Sequence, residues 1–136
     1  MSFLSAVSAR PKARRAAVAS AAVVAAVATA TSCSPPNGPR TVARNIMFTY
    51  GWGNDTQFNC LDNLWMRESG WNMFAANPNS GAYGIPQALP GSKMASAGPN
   101  WRTDAATQIR WGLNYIQADY GSPCGAWSHS MATGWY

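Results

Sequence analysis

Residues 55–72 read Asp-Thr-Gln-Phe-Asn-Cys-Leu-Asp-Asn-Leu-Trp-Met-Arg-Glu-Ser-Gly-Trp-Asn. Phe58, Leu61 and Trp65 recur there at helical spacing, with Cys60 and Leu64 beside the stripe, which predicts a helix from about Thr56 to Ser69. Asn54 or Asp55 supplies its N-cap, and Gly70 fits the position after its end, where a left-handed residue closes a helix. Glu68 continues the register Phe58–Leu61–Trp65–Glu68 and is the only glutamate in the chain. A carboxyl at the edge of an apolar face and at a helix C-terminus has its ionised form disfavoured by burial and by the helix dipole. A glutamic acid so placed keeps its proton towards neutral pH and can serve as a general acid. The bland alternative is a half-exposed Glu68 paired with Arg67 or Arg110.

Outward from this helix the pattern stays mainly α. Val42, Ala43, Ile46, Met47 and Tyr50 follow helical spacing, and Gly51-Trp52-Gly53 stops that helix. Residues 72–100 are rich in Asn, Pro, Ser and Gly and read as loops with one short hairpin. Thr103 or Asp104 caps a last clear helix with the stripe Ile109, Leu113, Ile116 and Tyr120, ended by Gly121. The tail from Pro123 to Tyr136 reads as aromatic and irregular. The fold class expected is mainly α (α+β) with a loop-rich middle.

Length, charge and cysteines narrow the function. A chain of 136 residues has room for one small domain. Its net charge of +5 is concentrated in Arg10, Lys12, Arg14 and Arg15, while from Thr31 onward six basic residues face five acidic ones. The folded part therefore lacks the basic patch that phosphate neutralisation requires, and nucleic acid is not expected as a partner. Residues 16–30 are small and mostly apolar, follow those four charges and end in Ala28-Thr29-Ala30. That arrangement predicts a secretory signal peptide over residues 1–30, with a retained anchor as the alternative. Residues 31–41 read as a linker, leaving 42–136 as the domain. Cys33 in Ala30-Thr31-Ser32-Cys33 matches a lipoprotein site weakly, so membrane attachment is expected only through Cys33 acylation or a retained signal. Outside the cytoplasm, Cys60 and Cys124 are expected to pair. One His and no Cys-x-x-Cys give no metal cluster, and no cofactor is expected.

Arg67-Glu68-Ser69-Gly70-Trp71-Asn72, then Ala75, then Gly81-Ala82-Tyr83-Gly84-Ile85-Pro86-Gln87 resembles the soluble lytic transglycosylase motif E-S-G-F/W-N, a small residue and G-A-x-G-L-M-Q. Residues 105–116, including Gly112 and Tyr115, resemble that family's helix ending in G-x-x-Y-L. The chain is also similar to small secreted bacterial transglycosylase-like, lysozyme-like proteins, in N-P-x-S-G-A-Y-G-I-P-Q-A-L-P-G-S-K-M and in S-P-C-G-A-W-x-H-S-x-x-x-G-W-Y. The resemblance implies a lysozyme-like fold acting on peptidoglycan, with Glu68 as catalytic acid/base, Ser69 hydrogen-bonding near it and Gln87 lining the sugar site. Trp71, Trp101 and Trp127, which fall in loop-like contexts, and Tyr83 and Tyr115 are the aromatic candidates for substrate contact, while Trp65 and Trp111 read as core and His129 as structural or rim. Three departures stand out. The stretch from Glu68 to the Gly-Ala pair is one residue longer than the family pattern, Pro86 replaces a Met, and the A-Y-N-A-G segment has no counterpart.

The function expected is lytic cleavage of glycan strands between N-acetylmuramic acid and N-acetylglucosamine by a secreted, cell-wall-associated monomer. A lytic reaction suits a chain in which only four Asp could partner Glu68, one of them, Asp62, pointing elsewhere on the same helix. The alternatives are a non-catalytic peptidoglycan-binding module and a hydrolytic muramidase. A disulfide-held inhibitor or toxin is disfavoured by having a single bridge.

Overall fold

Pro39 can open a helix because the first helical residue has no intrahelical use for its N–H. In the computed structural model, which describes residues 38–136, it does so. Helix α1 spans Pro39–Met47 behind an extended Gly38, so this helix begins inside the expected linker 31–41 and ahead of Val42. The expected signal peptide 1–30, its cleavage site and Cys33 lie outside the described residues. A 3-10 turn, Phe48–Tyr50, follows α1, and Gly51 closes it at φ 75°.

Helix α2 spans Asp55–Ser69. Of the two cap candidates Asn54 is the one used, its side chain accepting from the Gln57 N–H at 2.9 Å. Gly70 ends α2 at φ 61°. Helix α3, Ala105–Tyr120, is capped by Asp104, which accepts from the Thr107 N–H, and is closed by Gly121 at φ 72°.

The tail departs from expectation. Pro123–Thr133 is a fourth helix, α4, with Pro123 in its first turn and the Ser122 side chain accepting from the Gly125 N–H. Its buried face consists of Pro123, Ala126 and Ser130, all small, so it carries no large apolar stripe to betray the period. The loop-rich middle holds no strand among the described residues. In place of a hairpin, Tyr83 makes two isolated antiparallel bridges, to Ala76 and Ala88. An unforeseen 3-10 helix runs from Gly91 to Ala97.

The architecture is thus mainly helical with one disulfide. Helix α1 packs on α3, and both α2 and α3 pack on α4. Leu61, Leu64 and Trp65 of α2 meet Ile109, Leu113 and Ile116 of α3 in a core with no solvent exposure. Gly112 permits the approach, since a Cβ there would stand 2.7 Å from Trp65 Cζ2 and 3.0 Å from Pro86 Cβ. Arg40–Asp62 and Arg44–Asp55, both at 2.6 Å, fasten α1 across α2. No described helix is long and apolar enough to cross a membrane.

Cys60 on α2 and Cys124 at the start of α4 are bonded, with Cα atoms 5.0 Å apart. This is the expected pair. Because it closes a loop across a separation of 64 residues, the Cys60→Ser, Cys124→Ser double variant should lose about 4 kcal/mol by the chain-entropy relation. Urea denaturation of wild type and variant, with and without reductant, measures this; reductant should affect only the wild type.

Candidate active site

The site is organised around a buried amide. Gln108, in the second turn of α3, is fully buried, and both ends of its side chain are engaged. Its Oε1 accepts from the Ile85 N–H at 2.9 Å, while Nε2 donates to the Met73 carbonyl at 3.0 Å and the Trp101 carbonyl at 2.8 Å. One side chain therefore satisfies three backbone groups from three separate stretches of loop. Gly84 makes room for it, standing at φ 78° where a Cβ would come within 2.5 Å of Gln108 Oε1. The loop is also tied to the end of α2, for the Ser69 hydroxyl donates to the Ile85 carbonyl at 2.8 Å.

Glu68 sits at that same end, half-buried. Burial raises its pKa above the ordinary glutamate value, opposed only by the nearby Arg67 charge. The paired alternative is not what forms. Arg67 donates instead to the Ser130 carbonyl and hydroxyl, and Arg110 to Thr107 Oγ1 beside Asp104. Among the described residues no hydrogen bond or ion pair reaches the Glu68 carboxylate. Three of the four aspartates have structural work: Asp62 accepts from Arg40 and from Trp71 Nε1, Asp55 pairs with Arg44, and Asp104 caps α3, while Asp119 is exposed near the end of α3.

Tyr136 feels the Glu68 charge, and sequence reasoning missed it. Its hydroxyl accepts from Trp65 Nε1 at 2.7 Å and donates to the Pro86 carbonyl at 3.0 Å, joining α2 to the loop. Burial first, and the neighbouring Glu68 charge after it, hold the phenol pKa well up against the lowering effect of the Trp65 N–H. The phenol is therefore a neutral group beside the carboxyl. The only sequence signal was its place in the terminal Gly-Trp-Tyr, which carries no period.

Two clefts flank the loop. The first, about 170 Å³, is lined by Pro86, Gln87, Leu89 and Lys93 on one side and by Trp111, Tyr115 and Tyr136 on the other. The second, about 290 Å³, is lined by Gly81, Tyr83, Gly91, Ser92, Trp101 and Arg102. Glu68 lines neither; Tyr136 is its link to the first.

The sequence-predicted residues distribute unevenly over this ground. Gln87 and Tyr115 line the first cleft and Tyr83 the second. Gln87 also holds the loop, its Nε2 donating to the carbonyls of Gly84 and Ala75, with its own backbone at φ 51°. Tyr115 stacks on Trp111 with ring centroids 5.4 Å apart, and burial and Tyr120 raise its pKa. Ser69 bonds to the loop and to the Trp65 carbonyl, acting as a strut beneath Glu68. Trp71 is a correction. It is 4 % exposed, edge-on to Trp65 and bonded to Asp62, so the core occupies the surface that a sugar would need. Trp111, read as core, instead lines a cleft. His129 lies on α4 between Tyr120 and Trp135, with its Nε2 buried and unpartnered.

Compared with known protein families, with characterised proteins and with solved structures, the chain matches none.

Two outcomes follow from this geometry. Gln108→Leu keeps the volume but strands the Ile85 N–H and two carbonyls, at about 1–3 kcal/mol per buried unpaired group, so a loss of about 3 kcal/mol or more is expected in thermal or urea unfolding. For Glu68 the sign is opposite to that of a salt-bridged carboxylate. Its folded pKa lies above the unfolded one, so folding is favoured fully below the ordinary glutamate range and less as pH rises through the raised value. Glu68→Gln should therefore be more stable than wild type at pH 7 and equal to it below about pH 4, measured by urea midpoints across that range.

Proposed function

We propose that the protein cleaves peptidoglycan glycan strands as a lytic transglycosylase of lysozyme-like type, with Glu68 as its single acid/base. The observation that carries this reading is Glu68 itself: a half-buried carboxyl with a raised pKa and no protein partner among the described residues, its charge felt by Tyr136 of an aromatic-lined cleft. A structural glutamate is normally paired, whereas an unpaired carboxyl that holds its proton is suited to proton transfer.

In the proposed reaction the Glu68 carboxyl donates its proton to the glycosidic oxygen that follows N-acetylmuramic acid. The C1–O bond breaks, its electron pair stays with the departing oxygen, and C1 develops oxocarbenium character. The Glu68 carboxylate then takes the proton of the C6 hydroxyl as that oxygen bonds to C1, which closes a 1,6-anhydro ring and regenerates the acid. No water is consumed. The engagement of Asp55, Asp62 and Asp104 elsewhere favours this course over hydrolysis, which needs a second carboxylate to serve as nucleophile or to activate water and would be left with Asp119 alone.

A second reading is a non-catalytic wall-binding module, favoured by the position of Glu68 outside the lining of both clefts. Digestion of purified peptidoglycan by wild type and Glu68→Gln, with products weighed by mass spectrometry, separates the readings. Products one water lighter than the hydrolysed ones are expected, with the rate falling about 10²–10⁴-fold in the variant as for loss of a general acid. Hydrated ends would indicate a muramidase. Binding to the wall without cleavage would leave the module.

A further inference from the structure

The basic residues divide by what they touch. From Pro39 onward there are six: Arg40, Arg44, Arg67, Lys93, Arg102 and Arg110. Arg40 and Arg44 hold Asp62 and Asp55 at 2.6 Å, Arg67 bonds to Ser130, and Arg110 bonds to Thr107 beside Asp104. Of these six, only the Lys93 and Arg102 side chains form no hydrogen bond or ion pair among the described residues. These two line the two clefts, one in each, and no Asp or Glu side chain lines either.

Each cleft therefore combines one uncompensated cation with aromatic surface. Lys93 accompanies the stacked Trp111–Tyr115 pair. The Arg102 guanidinium lies 4.7 Å from the centre of Trp101, which packs edge-on against Tyr83. Ser92 and Lys93 are neighbours in the chain yet line different clefts, so the 3-10 segment Gly91–Ala97 is part of both walls. Aromatic faces receive sugar rings, and a cation without a protein partner receives an anion. A guanidinium pairs with a carboxylate through two parallel hydrogen bonds, and an ammonium does so as a point charge.

We propose that the two clefts together bind a carboxylate-bearing glycan, and that Lys93 and Arg102 are the specificity residues that distinguish such a strand from a neutral aminosugar polymer. The proposal rests on the wall-cleavage reading for the sugar and adds the acidic substituent as what is recognised. In peptidoglycan those carboxylates belong to the peptide stems carried by the muramic acid residues, so the enzyme would act on peptide-substituted stretches in preference to bare ones.

The test uses the full chain carrying Glu68→Gln, which prevents turnover, and three soluble probes: a disaccharide-peptide with free carboxylates, the same compound with its carboxylates amidated, and a neutral N-acetylglucosamine trisaccharide. The acidic compound should shift the indole N–H resonances of Trp101 and Trp111 and bind most tightly. Lys93→Met and Arg102→Met should each weaken that binding about threefold, the size expected of an exposed ion pair, and added salt should act in the same direction. Arg102→Lys should recover part of the loss, which a purely stacking role for Arg102 would not allow. Neither Met variant should change affinity for the amidated compound. Equal affinity for the acidic and amidated compounds, or unchanged binding in both Met variants, would overturn the proposal. Failure of the catalytic reading looks different: the indoles would respond to the acidic compound while the wild type left the wall uncut.

Discussion

One buried amide, the side chain of Gln108, holds the candidate-site half of this molecule in place. A loop-rich middle of some thirty residues has too little regular structure to satisfy its own backbone, and an unpaired buried N–H or C=O costs about 1–3 kcal/mol. Gln108 meets that demand from a rigid helix, binding Ile85, Met73 and Trp101 at once. Everything that lines the two clefts between Gly81 and Arg102 belongs to stretches fixed by these bonds. Gly84 next to the amide and Gly112 one turn further along α3 are where bare backbone permits the close approach.

On this platform the end of α2 is brought against the loop by Ser69, by Trp65 through Tyr136, and by the packing of Trp65 on Gly112. Glu68 emerges among these contacts without sharing in any of them. Its neighbours explain why it is left unpaired. Arg67, adjacent in sequence, is drawn to Ser130 on α4, and Arg110 is held at the first turns of α3. Burial raises the pKa of the carboxyl above that of an exposed glutamate, and the Arg67 charge only partly opposes it. The same economy of partners leaves Lys93 and Arg102 uncompensated beside the clefts.

Much of this was legible in the chain. The three helices with a large apolar stripe were readable by period, and the ends of α2 and α3 by Gly70 and Gly121 and by the cap pairs Asn54 or Asp55 and Thr103 or Asp104, because capping chemistry is local. The Cys60–Cys124 pair followed from position and compartment. What escaped was non-local or small. Helix α4 buries only Pro123, Ala126 and Ser130, which carry too little apolar contrast to mark a face. Trp71 looked like loop surface because its left-handed backbone, at φ 63°, turns it into the core against Trp65, a direction no periodicity encodes. Gln108 and Tyr136 are polar residues whose meaning lies in partners tens of positions away, and Lys93 and Arg102 stand out only when every other cation has been found a partner.

Because Glu68 is the only glutamate in the chain, its carboxyl gives a single side-chain resonance in a sample labelled with carbon-13 glutamate. Following that resonance through a pH titration tests the central claim, that burial in the fold raises the pKa of this acid, without any assumption about substrate. The account predicts a midpoint clearly above the ordinary glutamate range of about 4.3, collapsing to that range when the protein is unfolded in urea. A midpoint at or below the ordinary value in the folded protein would contradict it, and would return Glu68 to the rank of a surface carboxylate.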